Sequence, residues 1–300
     1  MSEEYKLKKP PWLRMRLNTN ENYRGLESLF KSQSVHTVCQ EARCPNIHEC
    51  WGKHKTASFM ILGDICTRGC RFCAVKSGRP GKVDGLEPAR VAEAVKAMGL
   101  SHVVITMVTR DDLSDGGVSL LADTVKNIHE KHPSCTVEVL SSDLMGQRKN
   151  IEALVQSRPE IIGHNLETVE RLTPVVRSRS TYRRSLDFLK TIGELDSEAI
   201  TKSALMLGLG ETRDEVIQAM DDLREADVRL LNLGQYLQPS KIQRPVQKYW
   251  TPAEFQELKE IALNKGFDHC ESGPLVRSSY HADEQYQVYR KKNVNLQPGT

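Results

Sequence analysis

Long apolar runs are missing from this chain: the longest, such as Val103–Val108, extend over only a few residues. A membrane-spanning helix needs about 20, so a transmembrane protein is excluded. The opening segment Met-Ser-Glu-Glu-Tyr-Lys-Leu-Lys-Lys-Pro-Pro has no apolar centre, so it does not read as a secretory signal. A large excess of one charge is also missing. With 42 basic and 39 acidic side chains the net charge is +3, which argues for no polyanionic partner and no nucleic acid. Together with 39% hydrophobic residues, that small charge excludes a disordered chain. Short-period repeats and low-complexity segments are absent. The 300 residues fit one large α/β domain or two small ones at about 150 residues per domain.

Cysteine, in contrast, is concentrated. Six of the eight lie between residues 39 and 73, at 39, 44, 50, 66, 70 and 73; the others are Cys135 and Cys270. A disulfide framework suits short secreted chains that cannot build a core, and this chain is long and without a signal. Clustered thiols in such a chain point to metal ligation or redox chemistry in the cytoplasm. Cys135 begins an apolar strand and Cys270 lies near the C-terminal edge; both read as core thiols, since free cysteine is so often buried.

From Ala57 onward a βα rhythm persists. Strands are predicted at 57–62, 102–107, 135–140, 161–166, 200–207 and 228–236. Helices are predicted near 88–98, 117–131, 147–157, 182–192, 211–226 and 252–265. This alternation implies a parallel sheet covered on both faces, either doubly wound or an incomplete barrel. In both, functional loops gather at the carboxyl ends of the strands. Glu87-Pro88 and Thr251-Pro252-Ala253-Glu254 read as helix starts. Residues 285–300 read as a polar tail that frays.

Cys66-Thr-Arg-Gly-Cys70-Arg-Phe72-Cys73 directly follows the first predicted strand. Its C-x3-C-x2-C spacing wraps three thiolates around one cluster face and leaves a fourth iron open to a small molecule. Structural zinc prefers four ligands, often as two C-x2-C pairs, and this is not that pattern. Arg68 and Arg71 are placed to offset the negative charge of thiolates and sulfides. Upstream, Cys39, Cys44 and Cys50 follow C-x4-C-x5-C spacing, which suggests a second cluster; a zinc site completed by His36 or His48 is the alternative.

The loop 66–73, including Phe72, resembles the signature of the radical S-adenosylmethionine (SAM) superfamily. The resemblance implies a partial (β/α)6 barrel and a 4Fe–4S cluster that binds SAM. The upstream spacing, the phrase CPNIHECW and the segment Arg277-Ser278-Ser279-Tyr280 are similar to those of lipoyl synthases in particular, and the likeness runs from about Pro11 to Asp283. It implies a division into residues 1–56, carrying the auxiliary triad; 57–266, the barrel; and 267–300, carrying the R-S-S-Y motif. It implies Ser279 as fourth ligand of an auxiliary 4Fe–4S cluster, with Ser278 as rival. A hard serine oxygen is a poor ligand for iron and suits a cluster that must open.

The likeness also implies SAM contacts at Phe72, Thr106, Thr109, Asn165, Glu167, Arg177 and Met206. Thr106 and Thr109 stand in a T-x-V-x-R-D-D-x-x-D-G-G segment in which Arg110, Asp111 and Asp112 could equally cap a helix or pair as salt bridges. Asn165 and Glu167, two apart, share a face of an extended chain. His164 reads as a satisfied core histidine. Two departures from the family pattern are Ala204 in place of a glycine and the loop Ser141-Ser-Asp143-Leu-Met145, which lacks a proline.

The activity implied is insertion of sulfur at C6 and C8 of an octanoyl chain on a lysine of a carrier, either a glycine cleavage H protein or a 2-oxoacid dehydrogenase E2 lipoyl domain. A flavodoxin or ferredoxin would be the reductant, and the radical chemistry is borne by the cofactors rather than by a side chain. A biotin synthase-like or tRNA methylthiolase-like enzyme would share Cys66, Cys70 and Cys73 but not the second triad with R-S-S-Y. A non-enzymatic zinc- or cluster-bound module is the alternative of another class.

Overall fold

The fold was analysed in a computed structural model that describes residues 7–294 except Arg16, Asn18 and Lys55. Its strands are β1 (His36–Thr37), β2 (Ser58–Ile61), β3 (Ile65–Cys66), β4 (Lys76–Ser77), β5 (His102–Met107), β6 (Thr136–Leu140), β7 (Ile161–Gly163), β8 (Ile200–Leu207), β9 (Leu230–Gln235) and β10 (His269–Gly273). Six helices alternate with the long strands: Glu87–Met98, Val118–Lys131, Arg148–Gln156, Tyr182–Leu195, Arg213–Glu225 and Pro252–Asn264. Two of them start as expected. Pro88 stands in the first turn of one, and Thr251 with Glu254 forms a reciprocal capping box on the other.

Eight strands form one sheet in the order β1-β2-β5-β6-β7-β8-β9-β10, parallel throughout except for β1 against β2. Each parallel strand pairs with its predecessor among the long strands, so the order never reverses. A doubly wound sheet needs such a reversal; successive addition on one side coils the sheet toward a barrel. The fold is therefore a partial barrel. Its six predicted strands are flanked by two that periodicity did not show: β1 from the N-terminal segment and β10 from the C-terminal one. A third difference is that β7 stops at Gly163 rather than at residue 166; beyond it Glu167, at φ +67°, rejoins β8 through an isolated bridge to Leu205.

Alternation along the strands separates two environments. On β5, Val103 and Ile105 pack outward in the main core, whereas His102, Val104 and Thr106 face the barrel interior. The interior holds a buried ion pair, Lys202 Nζ donating to both carboxylate oxygens of Glu138 at 2.9 Å, with His102 beside it. The C-terminal segment corrects the fraying expected of residues 285–300. A helix spans Ala282–Val294 and lays Tyr286 and Tyr289 on Ile161 and Leu230, near the amino ends of their strands. Its apolar positions are too sparse for a visible helical stripe, so packing rather than periodicity orders it. The last residues, 295–300, lie outside those described. No helix among the described residues is long and apolar enough to cross a membrane.

Candidate cofactor site

The two cysteine triads stand at opposite ends of β2. Cys66 follows its carboxyl end, and Ser58, its first residue, lines a cavity with Cys39, Cys44 and Cys50. Four strand residues rise by roughly 13 Å, so the barrel wall between the two sets is short. All eight cysteines are free thiols.

The first triad sits in a loop pinned on several sides by backbone. Thr67 donates its amide and hydroxyl to Thr109 O at 2.9 and 3.0 Å, Arg71 N donates to Val176 O at 2.9 Å, and Gln243 Nε2 donates to Cys73 O at 3.1 Å. The short β3–β4 ribbon closes the loop's base. Arg68 does not perform the charge-offsetting expected of it. Its guanidinium is bidentate to Asp111 at 2.8 Å and to Asp143 at 2.7 and 2.9 Å. Asp143, fully buried, also accepts from Arg184 Nε and Ser180 Oγ, and its arginine partners hold its carboxyl far below the usual range despite burial. This clamp carries the loop on the core. Arg71, the second expected cation, points to solvent.

The charge beside the triad comes instead from Arg177, which lies near Cys70 and Glu167 and donates to Leu166 O and Ser185 Oγ. Burial pushes the Arg177 guanidinium down from its ordinary value, so this cation lacks full compensation by protein anions. Glu167 is pushed up by burial, partly opposed by Arg177 and by Asn165, whose Nδ2 donates to Glu167 Oε1 at 3.2 Å. Asn165 and Glu167 therefore meet through a side-chain hydrogen bond rather than on one face of an extended chain, because Glu167 turns at φ +67°. Met206 N donates to Glu167 O, which brings Met206 to the same group. Phe72 is half-buried against the core, Thr109 is half-buried, and the Thr106 hydroxyl donates to Leu140 O at 3.0 Å. His164 is a satisfied core residue between Ser141 O and Ser185 Oγ, both at 2.9 Å, with its pKa lowered by burial to about 4. Arg110 takes the salt-bridge role, bidentate to Asp112 at 2.8 and 2.9 Å.

The second triad lines a cavity of about 310 Å³ together with Arg277, Ser279, Tyr280 and His281. Ser58 Oγ donates to Ser279 Oγ at 2.8 Å. Ser278 is not among the cavity residues; its carbonyl and that of Arg277 accept from Asn232 Nδ2. The C-terminal segment reaches this position only because Gly234 has no side chain: a Cβ there would stand 2.0 Å from Val276 O. Asn46 Nδ2, from within CPNIHECW, donates to Leu275 O at 2.7 Å and completes the seam. Burial pushes the Cys44 thiol up from its ordinary value, opposed by the Arg277 guanidinium beside it. Arg277 and Asn46 fall inside the R-S-S-Y and CPNIHECW segments without being singled out there, and Ser58 and Gly234 carry no sequence signal. Cys135 and Cys270 are buried in the core, as expected.

The donor chemistry fits clusters. Burial and mutual repulsion push Cys39, Cys50 and Cys73 up to about 12, so without metal these are neutral, inert thiols. Three facing thiols with an under-compensated arginine beside them, Arg177 in one set and Arg277 in the other, suit an anionic iron–sulfur group.

The model of the radical SAM superfamily matches residues 60–223. Lipoyl synthase from Halalkalibacterium halodurans is 60% identical over 283 residues, 94% of this chain and 93% of that one. The chain belongs to the lipoyl synthase family. Another member, from Geobacillus kaustophilus, is 59% identical over 95% of both chains. Among solved structures, methylornithine synthase (PylB) aligns with TM-score 0.52 and 11% identity over 94% of this chain and 91% of that one. HydG, a maturase of the [FeFe]-hydrogenase, aligns with TM-score 0.56 and 15% identity over 92% and 60%. At those identities the likeness is one of fold. Membership of this family of radical SAM sulfurtransferases brings SAM and an iron–sulfur cluster, a lipoyl carrier substrate and a reductant to the protein.

Proposed function

We propose that the protein inserts two sulfur atoms at C6 and C8 of an octanoyl chain amide-linked to a lysine of a lipoyl carrier, using two clusters held at the two ends of β2. When bound, the cluster and SAM supply the radical that takes hydrogen from carbon, and the second cluster supplies the sulfur. Cys66, Cys70 and Cys73 hold the first cluster, and Cys39, Cys44, Cys50 and Ser279 hold the second. The observation that carries this reading is the meeting of Ser279 with three thiols in one cavity, from chain segments more than 200 residues apart.

The chain's own side chains divide the work. Arg177 holds positive charge beside Cys70, where an anionic carboxylate or sulfide is best accommodated. Asn165 and Glu167 present amide and carboxylate oxygens able to hold ribose hydroxyls, with Met206 beside Glu167, and Phe72, Thr106 and Thr109 supply the remaining SAM contacts. The Arg68–Asp143 clamp keeps the loop from moving, since reactive carbon and radical must meet in near-attack contact. The C-terminal helix excludes water from the amino end of the barrel. Residues 1–56 and 267–300 act as the extensions that build the second site on the 57–266 barrel. The carrier is an H protein or an E2 lipoyl domain, and the reductant a flavodoxin or ferredoxin. Thiol-held clusters require a reducing compartment, which favours the cytoplasm.

The test is mass spectrometry of an octanoyl-lysine peptide incubated anaerobically with reduced holoprotein and SAM. A gain of two sulfur atoms is expected; SAM cleavage with no sulfur gain would sink the reading. A biotin synthase-like or methylthiolase-like reaction has no comparable use for Ser279.

A further inference from the structure

Beside the second triad lies a different set of donors. Glu49 precedes Cys50, His54 follows it by four positions, and His281 follows Ser279 by two. One carboxylate oxygen of Glu49 and one ring nitrogen of each histidine lie within 4.8 Å of one another. The two imidazoles line the same cavity as the thiols, with ring centroids 5.2 Å apart.

A second observation concerns His281 alone. Its Nδ1 is 3.0 Å from Glu284 Oε2, while its Nε2 is shielded from solvent and has no hydrogen-bond partner. A carboxylate on one ring nitrogen holds the proton there and leaves a lone pair on the other, the arrangement found around metal-bound histidines. Glu49 is oriented as well, with Tyr280 Oη donating to its Oε2 at 3.4 Å and His54 Nε2 3.8 Å from its Oε1. Two imidazoles and one carboxylate with positions left open are a donor set for ferrous iron or zinc, and no thiolate belongs to it.

We propose that Glu49, His54 and His281 bind one divalent first-row metal ion at the mouth of the second cavity, separate from any iron held by the cysteines. The ion ties the segment carrying Cys50 to the segment carrying Ser279. Among the described residues the side-chain hydrogen bonds between these parts of the chain are Asn46 to Leu275, Ser58 to Ser279 and Tyr280 to Glu49, and a metal bridge would hold the ligands in place while the site between them changes.

Zinc is the probe, because it is redox-inert and binds such sites more tightly than ferrous iron. Anaerobic holoprotein, its cysteines occupied by iron, is incubated with zinc, desalted, and analysed for both metals. About one zinc per chain is expected with iron unchanged, and zinc X-ray absorption should show imidazole and oxygen neighbours without sulfur. His54→Ala should lose the zinc and keep the iron, and Glu49→Gln should weaken retention by about tenfold or more. Sulfur in the zinc shell, no retained zinc, or equal retention in His54→Ala overturns the proposal. The absorption measurement needs no variant, so a poorly folding mutant does not shield it. Sulfur insertion by the same preparations is read separately, so failure here leaves the family reading standing.

Discussion

The two cysteine triads are assembled in opposite ways. Cys66, Cys70 and Cys73 lie within eight consecutive residues, on a loop fixed by backbone hydrogen bonds to three other segments and by the buried Arg68–Asp143 clamp. Cys39, Cys44 and Cys50 share a cavity with a serine from the far end of the chain, and a handful of hydrogen bonds makes the seam. Under the proposed function the first is a fixed mount for a group that must stay, and the second a joint between two segments with one hard oxygen among soft sulfurs.

The sharpest way to break this comparison is a pair of alanine variants. Cys73→Ala should abolish SAM cleavage and sulfur insertion together. Cys39→Ala should abolish insertion yet retain SAM cleavage, with 5′-deoxyadenosine read by chromatography and iron by chemical analysis. Loss of SAM cleavage in both would mean that the sites are not separable. Next comes Asp143→Asn. Leaving Arg68 with one carboxylate and Arg184 with none should cost about 3–5 kcal/mol, read as a lower denaturant midpoint.

His164 provides a pH test of the rigid side. Its folded pKa of about 4 lies below the unfolded value of about 6.5, so the unfolded chain binds the extra proton first. The stability this histidine contributes is full above pH 6.5 and is lost as pH falls toward 4, on the order of 3 kcal/mol in all. His164→Gln should therefore show a shallower fall in stability between pH 7 and 5 than the parent; parallel curves would refute the assignment.

Smaller effects probe the joint. Gly234→Ala, which drives a methyl into Val276 O, should lower iron in the second site while sparing the first and shifting overall stability by about 1–3 kcal/mol. Ser279→Ala should reduce sulfur insertion by about tenfold or more, by analogy with loss of a metal-site partner. Ser278→Ala, whose carbonyl does the work, should stay within about 0.5 kcal/mol of the parent in stability and retain activity. Equal losses at 278 and 279 would remove the distinction between them.

Much of the rigid region was readable in one dimension. The six βα units, the capping box at Thr251, the spacing of Cys66, Cys70 and Cys73 and the core role of His164 all rest on neighbours near in sequence or on periodic burial. The exceptions are instructive. Arg68 looked like a counter-charge because it stands between cysteines, but side-chain direction depends on where Asp111 and Asp143 arrive. The helix Ala282–Val294 looked like a fraying tail because two tyrosines and a glutamine do not make an apolar stripe until the barrel end receives them.

Taken alone, the order of residues determined the spacing of the cysteines and the alternation that builds a parallel sheet, because these depend on chain geometry over a few bonds. Tertiary structure decided which serine faces the second set of thiols, which arginine stands by each triad, and that β1 and β10 extend the sheet. Those outcomes depend on contacts between segments as far as 231 residues apart, such as Glu49 with Tyr280, Asn46 with Leu275 and Ser58 with Ser279. No local propensity encodes such a meeting; it exists only once the barrel has brought its two ends together.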